Sequence, residues 1–298
     1  MSQVRARLFL PMLRGLDRVL PVNAFCGAVR SFAMVRAGIH GLIKGVPSPR
    51  RLPACFESEE LLRHRHLYRL DTYESRIVQA IPDRLHEARW LDRCQISGIE
   101  PLLRAKAQGR PVVIGFFHFG PYEQLRSWIR AAGLPASFHV GGAPTIRSKL
   151  ARAKDRLALF PEVPTVFYDR QLGPAIRSLK AGNPLMLALD QPAMRRVDLV
   201  LPRGTRFEMP TAAIRLAVRH HALLVTANLL YLGRWRFRLD IGEPVPHELL
   251  TKGREREAAM HLMEQVLPIF RKHPEQCRKE LFLRFRDDSP SSAPFDPT

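Results

Sequence analysis

Apolar residues along this chain repeat with two different periods. Between residues 57 and 82, Leu61, Leu62, Leu67, Leu70, Tyr73, Ile77 and Val78 keep helical spacing. From about Cys94 onward, short apolar runs alternate with amphipathic stretches. The runs predict strands over 94–97, 111–117, 136–140, 165–168, 184–189, 223–230 and 235–241. The stretches between them predict helices over 101–108, 121–132, 145–159, 173–180, 210–220 and 254–272, with a last helix over 274–286. Residues 111–117 (PVVIGFF) are apolar throughout, as a strand buried on both faces requires. This alternation predicts an α/β fold, a sheet covered by helices.

The two ends of the chain read differently. In residues 1–50, Leu8, Leu10, Met12, Leu13, Leu16 and Leu20 fit a loosely amphipathic helix bordered by Arg5, Arg7, Arg14 and Arg18. The uncharged stretch 19–29 is about half of the roughly 20 residues that a spanning helix needs. No continuous apolar core with a small-residue cleavage site follows, so a signal peptide is not expected. Such a helix suits the headgroup layer of an anionic membrane; a helix packed on the following domain has the same pattern. Residues 45–53 (GVPSPRRLP) read as a linker and 287–298 (DDSPSSAPFDPT) as a disordered tail. The expected organisation is a membrane-associating region over 1–50, an α/β domain over 57–286 and a tail over 287–298.

Charge adds a partner class. Of 298 residues 47 are Lys or Arg, 39 of them arginine, against 28 Asp and Glu, giving a net charge of +19. A chain so basic is drawn to anions: nucleic acid, an anionic membrane, or an acidic substrate or carrier. An arginine-rich composition without any such partner is the bland alternative. The hydrophobic share of 46% excludes a wholly disordered chain. Cys26, Cys55, Cys94 and Cys277 form no CxxC pair, so neither a zinc site nor a disulfide framework is expected.

Two motifs at the ends of predicted buried strands carry candidate chemistry. The first is His118-Phe-Gly-Pro-Tyr-Glu123. A histidine five residues before an acid occurs about once by chance in this composition, and His66–Asp71 is a second case. That pair lies in a helical pattern, where five residues rotate the side chains apart. His118 instead follows a strand directly, with Gly120 to turn the chain and Pro121 to start a helix. Glu123 then falls in the first turn and can fold back toward the imidazole. Such a pair suits general base catalysis on a hydroxyl; a structural histidine at a strand end is the alternative. The H-x4-E spacing lacks the paired histidines of a zinc helix, and no metal or cofactor is expected. The second motif is Leu187-Ala-Leu-Asp190-Gln191-Pro192, followed by Arg195, Arg196 and residues 202–205 (PRGT). Arginines there can bind phosphate bidentately, or simply line a surface loop. His220-His221 ends a helix, where positive charge is favourable.

Taken in order, 115–123 (GFFHFGPYE), 182–191 (GNPLMLALDQ), 202–228 (PRGTRFEMPTAAIRLAVRHHALLVTAN), 239–245 (LDIGEPV) and 274–276 (PEQ) resemble the lysophospholipid acyltransferase superfamily. The resemblance is greatest to its lipid A late acyltransferase branch, the lauroyl and myristoyl transferases, and covers roughly residues 60–286. It implies a glycerolipid-acyltransferase-like fold with a mixed sheet. It implies transfer of a fatty acyl chain from acyl carrier protein or coenzyme A to a hydroxyl of a membrane lipid or glycolipid. The place implied is the cytoplasmic face of the cell inner membrane. By the same resemblance His118 is the base and Glu123 its partner. Arg147 binds the acceptor or polarises the acyl carbonyl. Asp190 and Gln191 match the family's D-Q segment, Arg195 lies in the adjoining arginine cluster, and Arg203 and Gly204 match a phosphate-contacting or glycine-turn segment. The chain has Pro121-Tyr122 where the branch often has N-W, Pro192 where D-Q-D is usual, and Cys277 where tryptophan is usual. These departures leave the acceptor open between lipid A, another lipid or glycolipid, and a secondary metabolite. Nucleic acid is the rival partner on charge, yet the arginines are spread along the chain and no recognised nucleic-acid-binding motif appears. A non-catalytic binder of anionic lipid is the third reading.

Overall fold

The computed structural model describes residues 15–16, 19–44, 53–56, 88–140, 162–164, 166–168 and 171–287. The helical patterns expected over 57–82 and 145–159, the linker over 45–52 and the tail from 288 onward lie outside them. A central sheet is built from β1 (Cys94–Ser97), β2 (Val112–Phe116), β3 (Ser137–Val140), β4 (Val166–Tyr168), β5 (Leu185–Ala188), β8 (Leu223–Tyr231) and β9 (Phe237–Ile241), in the order β1-β9-β8-β2-β5-β3-β4. Strands β8, β2, β5, β3 and β4 are mutually parallel, and β9 and β1 run the other way, so the sheet is mixed.

The pleat of β2 explains its uninterrupted apolar sequence. Val112, Ile114 and Phe116 face one core, and Val113 faces the other. The first core is closed by α1 (Val22–Lys44), α3 (Glu100–Ala107) and α4 (Tyr122–Ala131), following the short α2 (Ala88–Leu91). The second is closed by α5 (Leu172–Lys180), α6 (Ala212–His220) and α7 (Glu255–Lys272). Residues at these helices' buried positions recur every three or four places, as in Ala258, Leu262, Val266 and Phe270 of α7.

Helix α1 is packed on this body. Phe25, Cys26, Val29 and Ala33 form its buried stripe, and the Phe25 ring meets Trp90 and Trp235 edge-on at 6.1 and 5.6 Å. Burying one such ring stabilises the fold by about 1.5–3 kcal/mol. Phe32, Val35 and Ile39 are exposed on the same helix. No described helix is long and apolar enough to cross a membrane.

A second, three-stranded antiparallel sheet joins β6 (Arg196–Val200), β7 (Thr205–Pro210) and β10 (Phe285–Asp287), in the order β10-β7-β6. The helix expected over 274–286 is not formed. Residues 274–276 make one 3-10 turn, Cys277 is extended and bridges Phe119, α8 spans only Lys279–Phe282, and β10 follows. Pairing with distant segments overrides the local helical period here. Asp287, expected in the tail, belongs to β10. Its carboxylate accepts from the Ala54 N–H at 3.0 Å and the Thr205 hydroxyl at 2.8 Å.

Candidate active site

Strands β2 and β5 are neighbours and parallel, with Phe116 opposite Ala188. Two residues beyond each lie His118 and Asp190, so both emerge at the carboxyl edge of the sheet, where α/β folds bind ligands. His118 is 6% exposed and Asp190 wholly buried. One Asp190 oxygen accepts the His118 main-chain N–H at 2.7 Å, and the other meets ring Nδ1 at 2.7 Å. A buried carboxylate needs such partners, and these two charge-assisted bonds supply them. With Nδ1–H donated to Asp190, the lone pair of the neutral ring sits on Nε2. Burial pushes the imidazole's proton affinity down. The hydrogen bond and charge of Asp190, with smaller effects of Glu280 and Glu123, outweigh it, and His118 lies above the ordinary histidine range.

The turn at 118–120 is held on all sides. Gly120 has φ of +55°, and an added Cβ would stand far inside contact distance of the Leu229 carbonyl oxygen. The His118 carbonyl accepts from Arg278 N–H at 2.9 Å, and Gly120 N–H donates to the Gln276 carbonyl at 2.8 Å. The Arg278 guanidinium donates to the Gly120 carbonyl through Nε at 3.2 Å and Nη2 at 3.1 Å. The Gln276 carboxamide pairs with both main-chain groups of Tyr231 at 2.9 and 3.0 Å, acting as one rung of a strand beside β8. Tyr122 packs edge-on against the imidazole with centroids 4.5 Å apart and lies parallel to Phe116. Burial and the Glu123 charge push its hydroxyl's pKa up.

The orienting carboxylate is therefore Asp190, where Glu123 was expected. Pro121 caps α4 and Tyr122 is its first residue, so the first turn sets the Tyr122 ring against His118. Glu123 is half-buried beside it, accepts from the Tyr122 hydroxyl at 3.5 Å, and acts on the imidazole through its charge. Gln191 is half-buried next to Asp190, and Arg195 is exposed, its carbonyl accepting the Thr211 N–H at 3.1 Å. Arg203 and Gly204 form the β6–β7 turn, both with positive φ, at the end of that hairpin away from Asp190, so the structure does not gather them with His118. Arg147 lies outside the described residues. His220 is pushed down by burial and by Lys180, Arg219 and His221, against the expectation of a favoured positive charge there.

Gln276, Arg278 and Glu280 carry no motif that links them to His118, although the PEQ run was visible; Arg278 and Gly120 are 158 residues apart. Among the described residues no group of three His, Cys, Asp or Glu side chains could hold a metal ion. A cleft of about 490 Å³ lined by Val200, Leu201, Met260, Met263 and Leu267 lies along β6 and α7, and none of His118, Glu123 and Asp190 lines it. The chain matches no protein-family model and no curated protein.

Proposed function

We propose that this chain is an acyltransferase that moves a fatty acyl group from a thioester, on a carrier protein or coenzyme A, to a hydroxyl of a membrane lipid or glycolipid. The observation that carries the reading is the buried His118–Asp190 pair at the carboxyl ends of two adjacent parallel strands. It supports a general base with a defined tautomer. The acceptor O–H gives its proton to Nε2 as its oxygen attacks the thioester carbonyl, and Asp190 stabilises the imidazolium that forms. Collapse of the tetrahedral intermediate breaks the C–S bond, and the leaving sulfur takes the proton back from Nε2. No enzyme nucleophile and no cofactor enter the sequence of steps. Proton transfer of this kind is worth roughly 10²–10⁴-fold in rate. Glu280 and Glu123 favour the charged ring and so strengthen the base.

Arginines support an anionic setting. The exposed Phe32, Val35 and Ile39 on α1 support a helix lying in the headgroup layer, at the cytoplasmic face of the inner membrane. A glycerolipid-acyltransferase-like fold is part of the same reading, supported by the mixed sheet and the strand-end histidine.

The test is acyl transfer by wild type and His118→Ala, offered labelled acyl carrier protein or acyl-coenzyme A with total membrane lipids. Labelled lipid formed by wild type and abolished in a folded His118→Ala protein is the expected result. Equal labelling by both proteins returns His118 to a structural role. No labelling by either favours a non-catalytic binder.

A further inference from the structure

Strand β6 ends the small sheet. Among the described residues it pairs with β7 alone, and its other edge has no strand beside it. The ladder shows which groups line that edge. Thr211 N–H donates to the Arg195 carbonyl at 3.1 Å, and Leu201 N–H to the Thr205 carbonyl at 2.7 Å. Odd-numbered residues here therefore turn their main-chain groups toward β7, and Arg196, Asp198 and Val200 turn theirs toward the open edge. The side chains of these three are exposed as well, whereas Leu199 is buried and Val197 packs half-buried on the second core.

An open edge can accept another strand, and side chains decide which one. Asp198 stands directly opposite Glu208 on β7, a like-charge pair, and has no ion-pair partner among the described residues. Arg196 reaches Glu208 at 3.5 Å and is still 51% exposed. The β6 of a second copy, laid antiparallel with Val197 opposite Val197, answers both. Arg196 of each copy then stands opposite Asp198 of the other, and these pairs exchange both of their main-chain hydrogen bonds. The same register sets Met194 of each copy beside Val200 of the other. Met194 is wholly exposed and Val200 is 53% exposed, at the mouth of the apolar cleft between β6 and α7, so the contact takes apolar surface out of water. A slip of the register in either direction that keeps the hydrogen bonds sets Arg196 against Arg196 or Asp198 against Asp198. Charge thus selects one self-complementary pairing.

We infer that the free edge of β6 is the interface of a twofold homodimer, in which the small sheets of two copies join into one continuous sheet. The inference is independent of any turnover at His118.

The test is sedimentation velocity of the full chain at micromolar concentrations. Wild type should sediment as a dimer. Arg196→Glu and Asp198→Arg each set like charges opposite one another across the interface, and each should weaken dimerisation at least about tenfold. Mixing the two variants, or placing both substitutions in one chain, brings opposite charges together again and should restore the dimer. Met194→Asp changes a fully exposed residue outside any strand, and should weaken the dimer while leaving the fold alone. Val197→Cys should form an intersubunit disulfide under mild oxidation, since facing residues at such an axis have Cα atoms about 4.5 Å apart. The four native cysteines are buried and should not compete. Far-ultraviolet circular dichroism establishes that each variant is folded. A monomeric wild type overturns the inference, as does a dimer that Arg196→Glu, Asp198→Arg and Met194→Asp all leave intact. Failure of both the mixture and the double variant to dimerise overturns the pairing of Arg196 with Asp198.

Discussion

Asp190→Asn separates orientation from mere presence at the site. The wild-type carboxylate satisfies two His118 N–H groups at 2.7 Å each. Asparagine has one carbonyl oxygen and one NH₂ to put in their place. The buried His118 main-chain N–H keeps the oxygen, because leaving it bare costs about 1–3 kcal/mol. The NH₂ then faces Nδ1, which must accept, and the ring proton moves to Nε2. A base with that proton cannot take another from the acceptor. The expected loss is roughly 10³–10⁴-fold in kcat, the size seen when a carboxylate–imidazole pair takes the wrong tautomer. At 1.36 kcal/mol per decade this is about 4–5.5 kcal/mol of barrier. Stability should change by less, about 1.5–3 kcal/mol, the worth of a hydrogen bond to a charged group. Release of labelled lipid from an acyl thioester gives the rate, and nitrogen-15 spectra of the imidazole give the tautomer. A rate within tenfold of wild type, or a Glu123→Gln loss as large as that of Asp190→Asn, refutes the assignment of Asp190 as the orienting group.

The proton affinity of His118 is raised above the ordinary value of 6.5, and the base works deprotonated, so kcat/KM should rise with pH through a value above 6.5. Glu280→Gln, at an exposed position, should move that limb to lower pH; an unmoved limb would show that Glu280 does not act on the ring. The same raised affinity stabilises the fold fully below 6.5, and that contribution should fade as pH rises through the folded value, which thermal unfolding against pH will register. Gly120→Ala combines a positive φ with a clash against the Leu229 carbonyl, and should cost at least about 2 kcal/mol in urea unfolding. Gln276→Ala strands both main-chain groups of Tyr231 and should cost about 1–3 kcal/mol, with kcat lowered at unchanged Asp190; urea unfolding and the transfer assay check both effects.

Local chemistry made much of this molecule legible. Strand β2 coincides with an unbroken apolar run because a strand buried on both faces has no polar position to interrupt it, and β9 shows by the alternation of buried Phe237, Leu239 and Ile241 with half-buried Arg238 and Asp240. Helices such as α7 show because one face alone is buried. Strands β6 and β7 did not show as strands. Their outward residues are Arg196, Asp198, Val200, Arg206 and Glu208, and only two or three inward residues alternate with them in each strand. The segment 274–286 has a helical period yet does not form that helix, because its extended part exists only through pairing with residues 118–120 and with β7.

The candidate site divides in the same way. By itself the sequence determined that His118 and Asp190 each stand just past a buried strand, since that depends on neighbours within a few residues. It did not determine that the two strands are adjacent. Parallel neighbours are joined through distant connections, and their order is set by which helices can cover which face. Only the register of β2 against β5, Phe116 opposite Ala188, brings Asp190 to the imidazole across 72 residues. Glu123, five residues away, was the nearer carboxylate in sequence, but helix α4 presents Tyr122 to the ring instead. Proximity along the chain is a local property, whereas a side chain's partner is chosen by packing, and that choice exists only in the folded molecule.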